Sequence, residues 1–435
     1  MIDQIEEHSS DSSSSTEENY DSESSRTKST SDSSKSSSTS VDQYSRSSGL
    51  TKKEGWGNES TKIPYRIELC MLLFGTVILY NYNTFINGID FFQTKFPDNN
   101  LISTNIARVH NIANAVTYLL SICFIEQFNI KVRFYVSILV ELAITIFFLI
   151  YVNVGTPNLI VIYTVEGISA AFTAVLEGTA LGLAGMFGGN STAMAASGLA
   201  LSGVMTAITR VLSKMMGPGE GWFFFGSTFL FYLASTITFV FFIKDEYVVE
   251  KLKNTVVSNN FLQRMSRFTK VMRKIWTIWV MAFVCMVITL ALFPGYMCRT
   301  VSKHGLTIDW VVTLVISMFM AGDFLGRIVT RWFSFPSRKY LFIPHLLRLI
   351  FFVFVMISIE GVAIVDDIWI YCMSFLLAFT GGYYVTLCLN YTAQLDTLDV
   401  EEIELATFLI SVALSLGVFS GSWLTYAMPT ASLNR

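Results

Sequence analysis

Charge is scarce in this 435-residue sequence: Asp, Glu, Lys and Arg together make up 14% of it, against 52% hydrophobic residues and a mean hydropathy of +0.51. Such a balance excludes a water-soluble globular chain and indicates a polytopic membrane protein. The few charges nearly cancel, at a formal net −3. With no basic stripe interleaved with aromatics, the electrostatic footprint of a nucleic-acid binder is missing. Histidine is rarer still: His8, His110, His304 and His345 are scattered, and neither H-E-x-x-H nor G-x-S-x-G occurs. The six cysteines, at 70, 123, 285, 298, 372 and 388, fall in or beside apolar stretches without the paired spacing of a zinc site, and read as packing thiols. G-x-x-x-x-G-K-[ST] is absent, so nothing cradles ATP. No metal or cofactor is expected, and an enzyme would have to work with carboxylates alone.

Apolar residues are what the first 63 positions lack. "DSSSSTEENYDSESSRTKSTSDSSKSSSTS" offers almost nothing to offset the entropy of ordering, so 1–63 is expected to be a disordered, Ser-rich acidic tail. It has neither the basic start nor the apolar core of a cleaved signal peptide, and the first membrane helix is expected to direct insertion itself. From Tyr65 onward, about eleven apolar stretches each approach the roughly 20 residues that cross a bilayer. They lie near 67–92, 103–125, 132–153, 157–186, 192–215, 222–243, 274–296, 309–332, 340–360, 368–391 and 404–428. The stretch at 192–215 is rich in small residues rather than Leu and Phe, as expected of a helix packed inside others.

Basic residues set the orientation. Lys52, Lys53, Lys62 and Arg66 precede the first span, Lys131 and Arg133 lie between the second and third, and Arg331, Arg338 and Lys339 follow the eighth. All fall on the side of the N-terminus, as does the basic connection at 244–273. The opposite loops carry few, such as Lys95, Lys214, Arg299 and Lys303. The expected architecture is therefore all-α, with a cytoplasmic tail at 1–63, a six-helix bundle at 64–243, the basic cytoplasmic loop at 244–273 and a five-helix bundle at 274–435. This is a major-facilitator-like arrangement whose C-terminus is extracellular.

Charges inside helices are then the informative residues, because each costs at least about 2.5–3.5 kcal/mol at the bilayer centre on insertion scales. In "AGDFLGRIVTR" Asp323 and Arg327 are four residues apart, acid first, and so share a helix face as a near-neutral pair. Gly322 and Gly326 form G-x-x-x-G beside them, where another helix can approach closely. Arg348 is a further cation, and Glu141, Glu166 and Glu177 are acids. Glu166 and Glu177, eleven residues or about three turns apart, share a face. The bland alternative for Asp323 and Arg327 is a clasp that only holds helices together. For Glu177 it is an acid hydrogen-bonded to a neighbouring helix, and Glu141 has no visible partner. An intramembrane aspartyl protease would need a second Asp in a "YD" motif and a "GxGD" motif, and the sequence has neither in its membrane stretches.

Six motifs in order carry a resemblance. "LEGTALGLAG" at 176–185, "LFPGY" at 292–296, "DFLGR" at 323–327, "LLRLIFF" at 346–352, "FTGGYYVTL" at 379–387 and "ELATFLISVALSLGVFSGSWLTY" at 404–426 are similar to those of the equilibrative nucleoside transporter family. The acidic stretch before the last span and "FPG" resemble its apicomplexan, malaria-type members. The resemblance covers about 67–428. It implies a facilitative carrier of nucleosides, with purine nucleosides such as adenosine, and nucleobases, as expected substrates, since such parasites rely on salvaged purines. Asp323 and Arg327 match the family unchanged, and the resemblance places them in the substrate cavity. Tyr82-Asn83 stands where the family usually has Trp-Asn, although Tyr80-Asn81 fits the same register. Glu177 stands where it usually has Gln, and Gly381 where Asn is common. Arg348 completes the expected substrate-binding set, with Phe293, Tyr82 and Tyr383 as apolar walls for a flat base. Transport would run down the substrate gradient by rocking of the two bundles around a central site, in the plasma membrane by default. The alternatives left open are another secondary transporter, for drugs, sugars or amino acids, and a non-transporting membrane receptor. The oligomeric state is not legible.

Three N-x-[ST] matches, at Asn58, Asn190 and Asn390, all fall on the cytoplasmic side of this topology. The protein is therefore expected to run at one mass before and after glycosidase treatment. A glycosidase-sensitive shift abolished by mutating any of these asparagines would invert the orientation or remove a span.

Overall fold

The computed structural model describes residues 63–88, 91–92, 95–96, 102–155, 157–253, 261–300, 302, 304–306, 308–362, 366–425 and 428. The acidic tail expected at 1–63 lies, except for residue 63, outside the described residues. Among the described residues the regular structure is entirely helical. The longer helices are α1 (Tyr65–Ile78), α2 (Tyr80–Asn87), α3 (Ile102–Phe124), α4 (Ile130–Val154), α5 (Leu159–Phe187), α6 (Gly189–Lys214) and α7 (Glu220–Phe242), followed by α8 (Glu246–Leu252) and α9 (Phe261–Leu292). After these come α10 (Ile308–Val329), α11 (Phe342–Leu347), α12 (Ile350–Ile359), α13 (Asp367–Ala393) and α14 (Val400–Leu424). Among the described residues eight segments are long and apolar enough to cross a membrane, and α1 with α2, bent by 45°, makes a ninth if the two form one span. The first expected span is thus divided between two helices.

Several boundaries differ from the sequence reading for local reasons. The connection expected to run irregularly over 244–273 contains α8, and α9 begins at Phe261, well before position 274. No Gly or Pro interrupts "FLQRMSRFTKVMRK", and its cations find acceptors. Arg264 donates to the Cys123 carbonyl at 3.1 Å, Arg267 to the Glu401 carbonyl, Lys270 pairs with Glu402 at 2.7 Å, and Lys274 also pairs with Glu402. Helix α9 stops at Leu292 because Pro294 cannot donate a backbone hydrogen bond. The last helix starts at Val400, earlier than expected, where the Asp399 N–H donates to the Glu402 carboxylate at 3.2 Å. The span read near 340–360 is split into α11 and α12 by a tight turn at Arg348–Leu349.

Small residues decide the closest crossings. A Cβ at Gly322 or Gly326 would collide with the carbonyls of Phe375 and Phe379, so α10 lies backbone to backbone against α13. Gly198 of α6 is pressed in the same way onto Leu72 and Thr76 of α1. Helix α6 is accordingly buried along most of its length, the interior position its composition predicts. At the end where α1, α4 and α14 begin and α10 finishes, ion pairs join early helices to late ones: Arg331 with Glu68, and Arg133 with Glu404.

The α10–α13 crossing has no spare room. Gly326→Val is expected to destabilise the protein by about 1–3 kcal/mol through overpacking, read as a lower melting temperature of the detergent-solubilised protein. Leu325→Val on the exposed face of the same helix should melt with the wild type. Equal melting of both variants would show that the crossing is loose.

Candidate functional site

Helix α10 brings Asp323 and Arg327 to the α13 crossing, where a Cβ at Gly382 would meet the Asp323 Oδ1 at 2.5 Å and the Arg327 Cγ at 3.1 Å. The missing side chain makes room for the charged pair. Arg327 Nε donates to Asp323 Oδ2 at 2.9 Å, and the two side chains keep 11% and 17% exposure. No other hydrogen-bond partner of the Arg327 terminal nitrogens occurs among the described residues. Four N–H groups of a charged side chain inside the helices thus remain unused.

Arg348 is the opposite case. It is 2% exposed, and its five N–H groups all have acceptors: Nε to Thr380 Oγ1 (3.2 Å), Nη1 to the Cys285 carbonyl (2.9 Å) and sulfur (2.7 Å), and Nη2 to Thr289 Oγ1 (2.7 Å) and the Leu377 carbonyl (3.0 Å). Gly381 is the position that admits it, since a Cβ there would meet Arg348 Nη2 at 2.9 Å. Expected to bind substrate, Arg348 instead clasps α9 to α13 and has no donor left to offer. Phe293, expected as a wall, stacks on Phe319 with ring centroids 3.6 Å apart and sits in the apolar cluster with Tyr296, Met297 and Leu377. Tyr383, expected beside it, points its hydroxyl at the Phe335 carbonyl (2.7 Å) and holds the loop after α10. Sequence spacing places these residues on helices but not on helix faces.

On the other side, α2 is fixed by polar rungs. Asn83 donates to Ser202 at 2.6 Å, Asn87 to Thr206 at 3.0 Å, and Thr84 shares a hydrogen bond with Thr228 at 2.8 Å. The register of the aromatic-Asn motif is resolved by packing: Tyr80 is fully buried against Phe231, whereas Tyr82 is partly open and lies with its ring 4.0 Å from that of His110. Glu177 of α5 faces Tyr118 of α3 and is within electrostatic reach of Arg327. The geometry therefore brings Asp323, Arg327 and Glu177 together. Tyr82 and Asn83 stand on the α2 side, and Arg348, Phe293 and Tyr383 are engaged elsewhere.

The partners of three polar residues escaped the sequence reading. Glu141, which has no partner visible in the sequence, accepts from Asn81 (2.5 Å), Ser169 (2.9 Å) and Thr173 (3.0 Å). His110 joins Glu166 at 2.9 Å, and Asn114 accepts from Ser415 at 2.5 Å. The available signal was the spacing His110, Asn114, Tyr118 on an otherwise apolar helix, a polar stripe at i, i+4 and i+8. Among the described residues no cluster of His, Cys, Asp and Glu could hold a metal ion.

Residues 244–430 match the family model described as Nucleoside transporter. Over 381 residues the chain is 22% identical to Equilibrative nucleotide transporter 8 of Arabidopsis thaliana, which covers 83% of this chain and 95% of that protein. Nucleoside transporter 1 of Plasmodium vivax (strain Salvador I) is 32% identical over 154 residues, 32% of this chain and 36% of that one. Among solved structures, the proton:xylose symporter XylE of the major facilitator superfamily superposes with a TM-score of 0.59 at 11% identity, covering 82% of this chain and 87% of that one. The symporter FucP in its outward conformation gives 0.53 at 15% identity, covering 84% and 91%. The chain has the fold of major facilitator transporters. It is a multi-pass membrane protein of transporter type, not an enzyme, and shares sequence with nucleoside transporters.

The two arginines make a testable contrast. Arg348→Lys keeps the charge but has three donors for five bonds, and is expected to lower stability by about 2 kcal/mol. That loss should be read as a fall in melting temperature with substrate affinity unchanged. A selective loss of affinity at normal stability would return Arg348 to the binding site.

Proposed function

We propose that this protein is a facilitative transporter of nucleosides, chiefly purine nucleosides such as adenosine, and of nucleobases, working by alternating access. In this reading eleven spans form a six-helix and a five-helix bundle divided at 244–273. The tail is cytoplasmic, the C-terminus extracellular and the membrane the plasma membrane. The substrate is neutral, with a flat base and a sugar diol, and asks for an apolar wall plus a few acceptors and donors rather than net charge. One observation carries the proposal: within a single membrane helix, Arg327 is neutralised by Asp323 yet its terminal N–H groups have no hydrogen-bond partner among the described residues, while all of those of Arg348 nearby are used. A clasp would have used them.

Asp323 accepts from a sugar hydroxyl or base amine, Arg327 donates to a substrate acceptor, and their mutual attraction limits the cost of the empty state. Tyr82 supplies the aromatic wall, and Asn83, held by Ser202, supplies a polar contact from α2. Glu177 stands across from Arg327 as an acceptor. The preference for purines rests on the resemblance to malaria-type members, and the ion pairs Arg331–Glu68 and Arg133–Glu404 are consistent with a chain closed on the tail side.

Uptake of a panel of labelled nucleosides and bases by cells expressing the chain, with sugars, amino acids and drugs as competitors, tests the reading. Arg327→Lys, which loses the planar fork, is expected to reach the membrane normally. It should bind substrate about ten- to hundredfold more weakly, the equivalent of one charge-assisted hydrogen bond. The penalty should shrink for 2′-deoxy or 3′-deoxy analogues if the lost contact is to the sugar. Wild-type affinity and selectivity in both Arg327→Lys and Asp323→Asn would reduce the pair to a helix clasp.

A further inference from the structure

Behind Tyr82 lies a cluster that the substrate site does not use. Glu166 of α5 is 0% exposed and its Oε1 lies 2.9 Å from His110 Nδ1 of α3, which is 4% exposed. Its Oε2 is buried with no hydrogen-bond partner among the described residues. A bond between an imidazole nitrogen and a carboxylate oxygen contains one proton. With that proton alone the pair has a net charge of −1, and a second proton, taken up at Glu166 or His110, makes it neutral. A buried acid with an empty oxygen beside a histidine is thus a place where a proton can be loaded and removed inside the membrane.

Arg108 of α3, two residues before His110, is turned to Asn105 at 3.5 Å, and among the described residues no cation is bonded to the pair. Glu141 of α4 is the nearest acid, and it is fully occupied by Asn81, Ser169 and Thr173. Tyr82 of α2 and Tyr232 of α7 are the other titratable groups acting on it. The charged residues of the remaining helices packed against α5 are engaged at helix ends. Arg133 of α4 is with Glu404 of α14, Arg210 of α6 with Glu220, Glu68 of α1 with Arg331, and Asp367 of α13 with Ser302. The pair is also connected to the substrate site. His110, Asn114 and Tyr118 run along one face of α3 opposite Glu166, the Ala170 carbonyl and Glu177 of α5, and Glu177 reaches Arg327. By helix rise Glu166 and Glu177 are about 16 Å apart. The Tyr82 ring rests on the His110 ring, so a change of hydrogen bonding at His110 is felt by a wall of the proposed site.

We infer that His110 and Glu166 form a proton-binding site that loads from one side of the membrane, unloads to the other, and is coupled to substrate movement through Tyr82 and the α3–α5 seam. The inference rests on the transport reading above and alters one part of it, since a coupled proton makes the movement concentrative where the uncoupled carrier only equilibrates; its tests separate the two. In proteoliposomes, wild type with an inward gradient of one pH unit should accumulate labelled adenosine up to about tenfold over equilibrium, the limit for one proton per substrate. An ionophore that collapses the gradient should abolish the excess. Glu166→Gln and His110→Gln should still exchange labelled for unlabelled adenosine but only equilibrate. Wild-type uptake that merely equilibrates, or variants that accumulate like wild type, overturns the inference while leaving transport standing. If no nucleoside or base enters at all, the transport reading fails, and infrared difference spectra of the purified protein between acid and alkaline buffer decide the proton site. A carboxyl C=O band present in wild type and missing in Glu166→Gln supports it, and its absence from wild type sinks it.

Discussion

A charge taken out of water has to be matched by something inside the protein, and most of what is specific in this molecule follows from the different ways it meets that demand. Arg348 is matched by neutral acceptors, five bonds to two helices, and becomes structure. Arg327 is matched by one carboxylate on its own helix and retains donors. Glu141 is matched by an amide and two hydroxyls. Glu166 has a single histidine and an idle oxygen. Side chains of the same chemical type thus differ in availability, and availability distinguishes a site from a clasp.

The helices can provide these matches only because they come close. Hydrophobic burial gives little force between helices when lipid is as apolar as leucine, so association relies on close packing and hydrogen bonds. Gly322 and Gly326 set α10 against the carbonyls of α13, and Gly382 leaves the hollow in which Asp323 and Arg327 lie. Gly381 does the same for Arg348. The G-x-x-x-G pattern and the charge pair it accompanies are therefore one device: the glycines fix the crossing, and the crossing fixes where the charges face.

Much of this was legible in the sequence. The apolar periods gave the helices at 130–154, 159–187 and 367–393 to within a few residues, and the i, i+4 spacing put Asp323 with Arg327. What spacing does not encode is the partner across a helix interface. Glu141 had none in view because Asn81, Ser169 and Thr173 are 60, 28 and 32 residues away along the chain. Arg348 read as a binding residue because its acceptors are backbone carbonyls, a thiol and hydroxyls, which carry no charge to pair with on paper. The early start of α9 was hidden for a related reason. Its cations suggested a solvated loop, whereas Glu402 and the Glu401 and Cys123 carbonyls let them sit on a helix.

The same reasoning bears on how a proposed transport cycle is held in balance. Arg331–Glu68 and Arg133–Glu404 join early and late helices at the end where the tail enters, and Arg331 is 26% exposed there. Pairs that water can reach are worth on the order of 0–1 kcal/mol each. Of the four side chains only Arg331 is that open: Glu68 and Arg133 are each 7% exposed, so parting these pairs costs more than parting a surface pair and has to be offset by new partners or by differential binding of substrate. The fully buried contacts, Arg348 in its cage and the glycine crossings, cost far more to break and so belong to parts that move as rigid units. Strength of match therefore predicts what moves. In the proposed cycle the charges with the fewest partners, Arg327 and the open Arg331, are the ones expected to change partners, and the strongly matched ones to carry them.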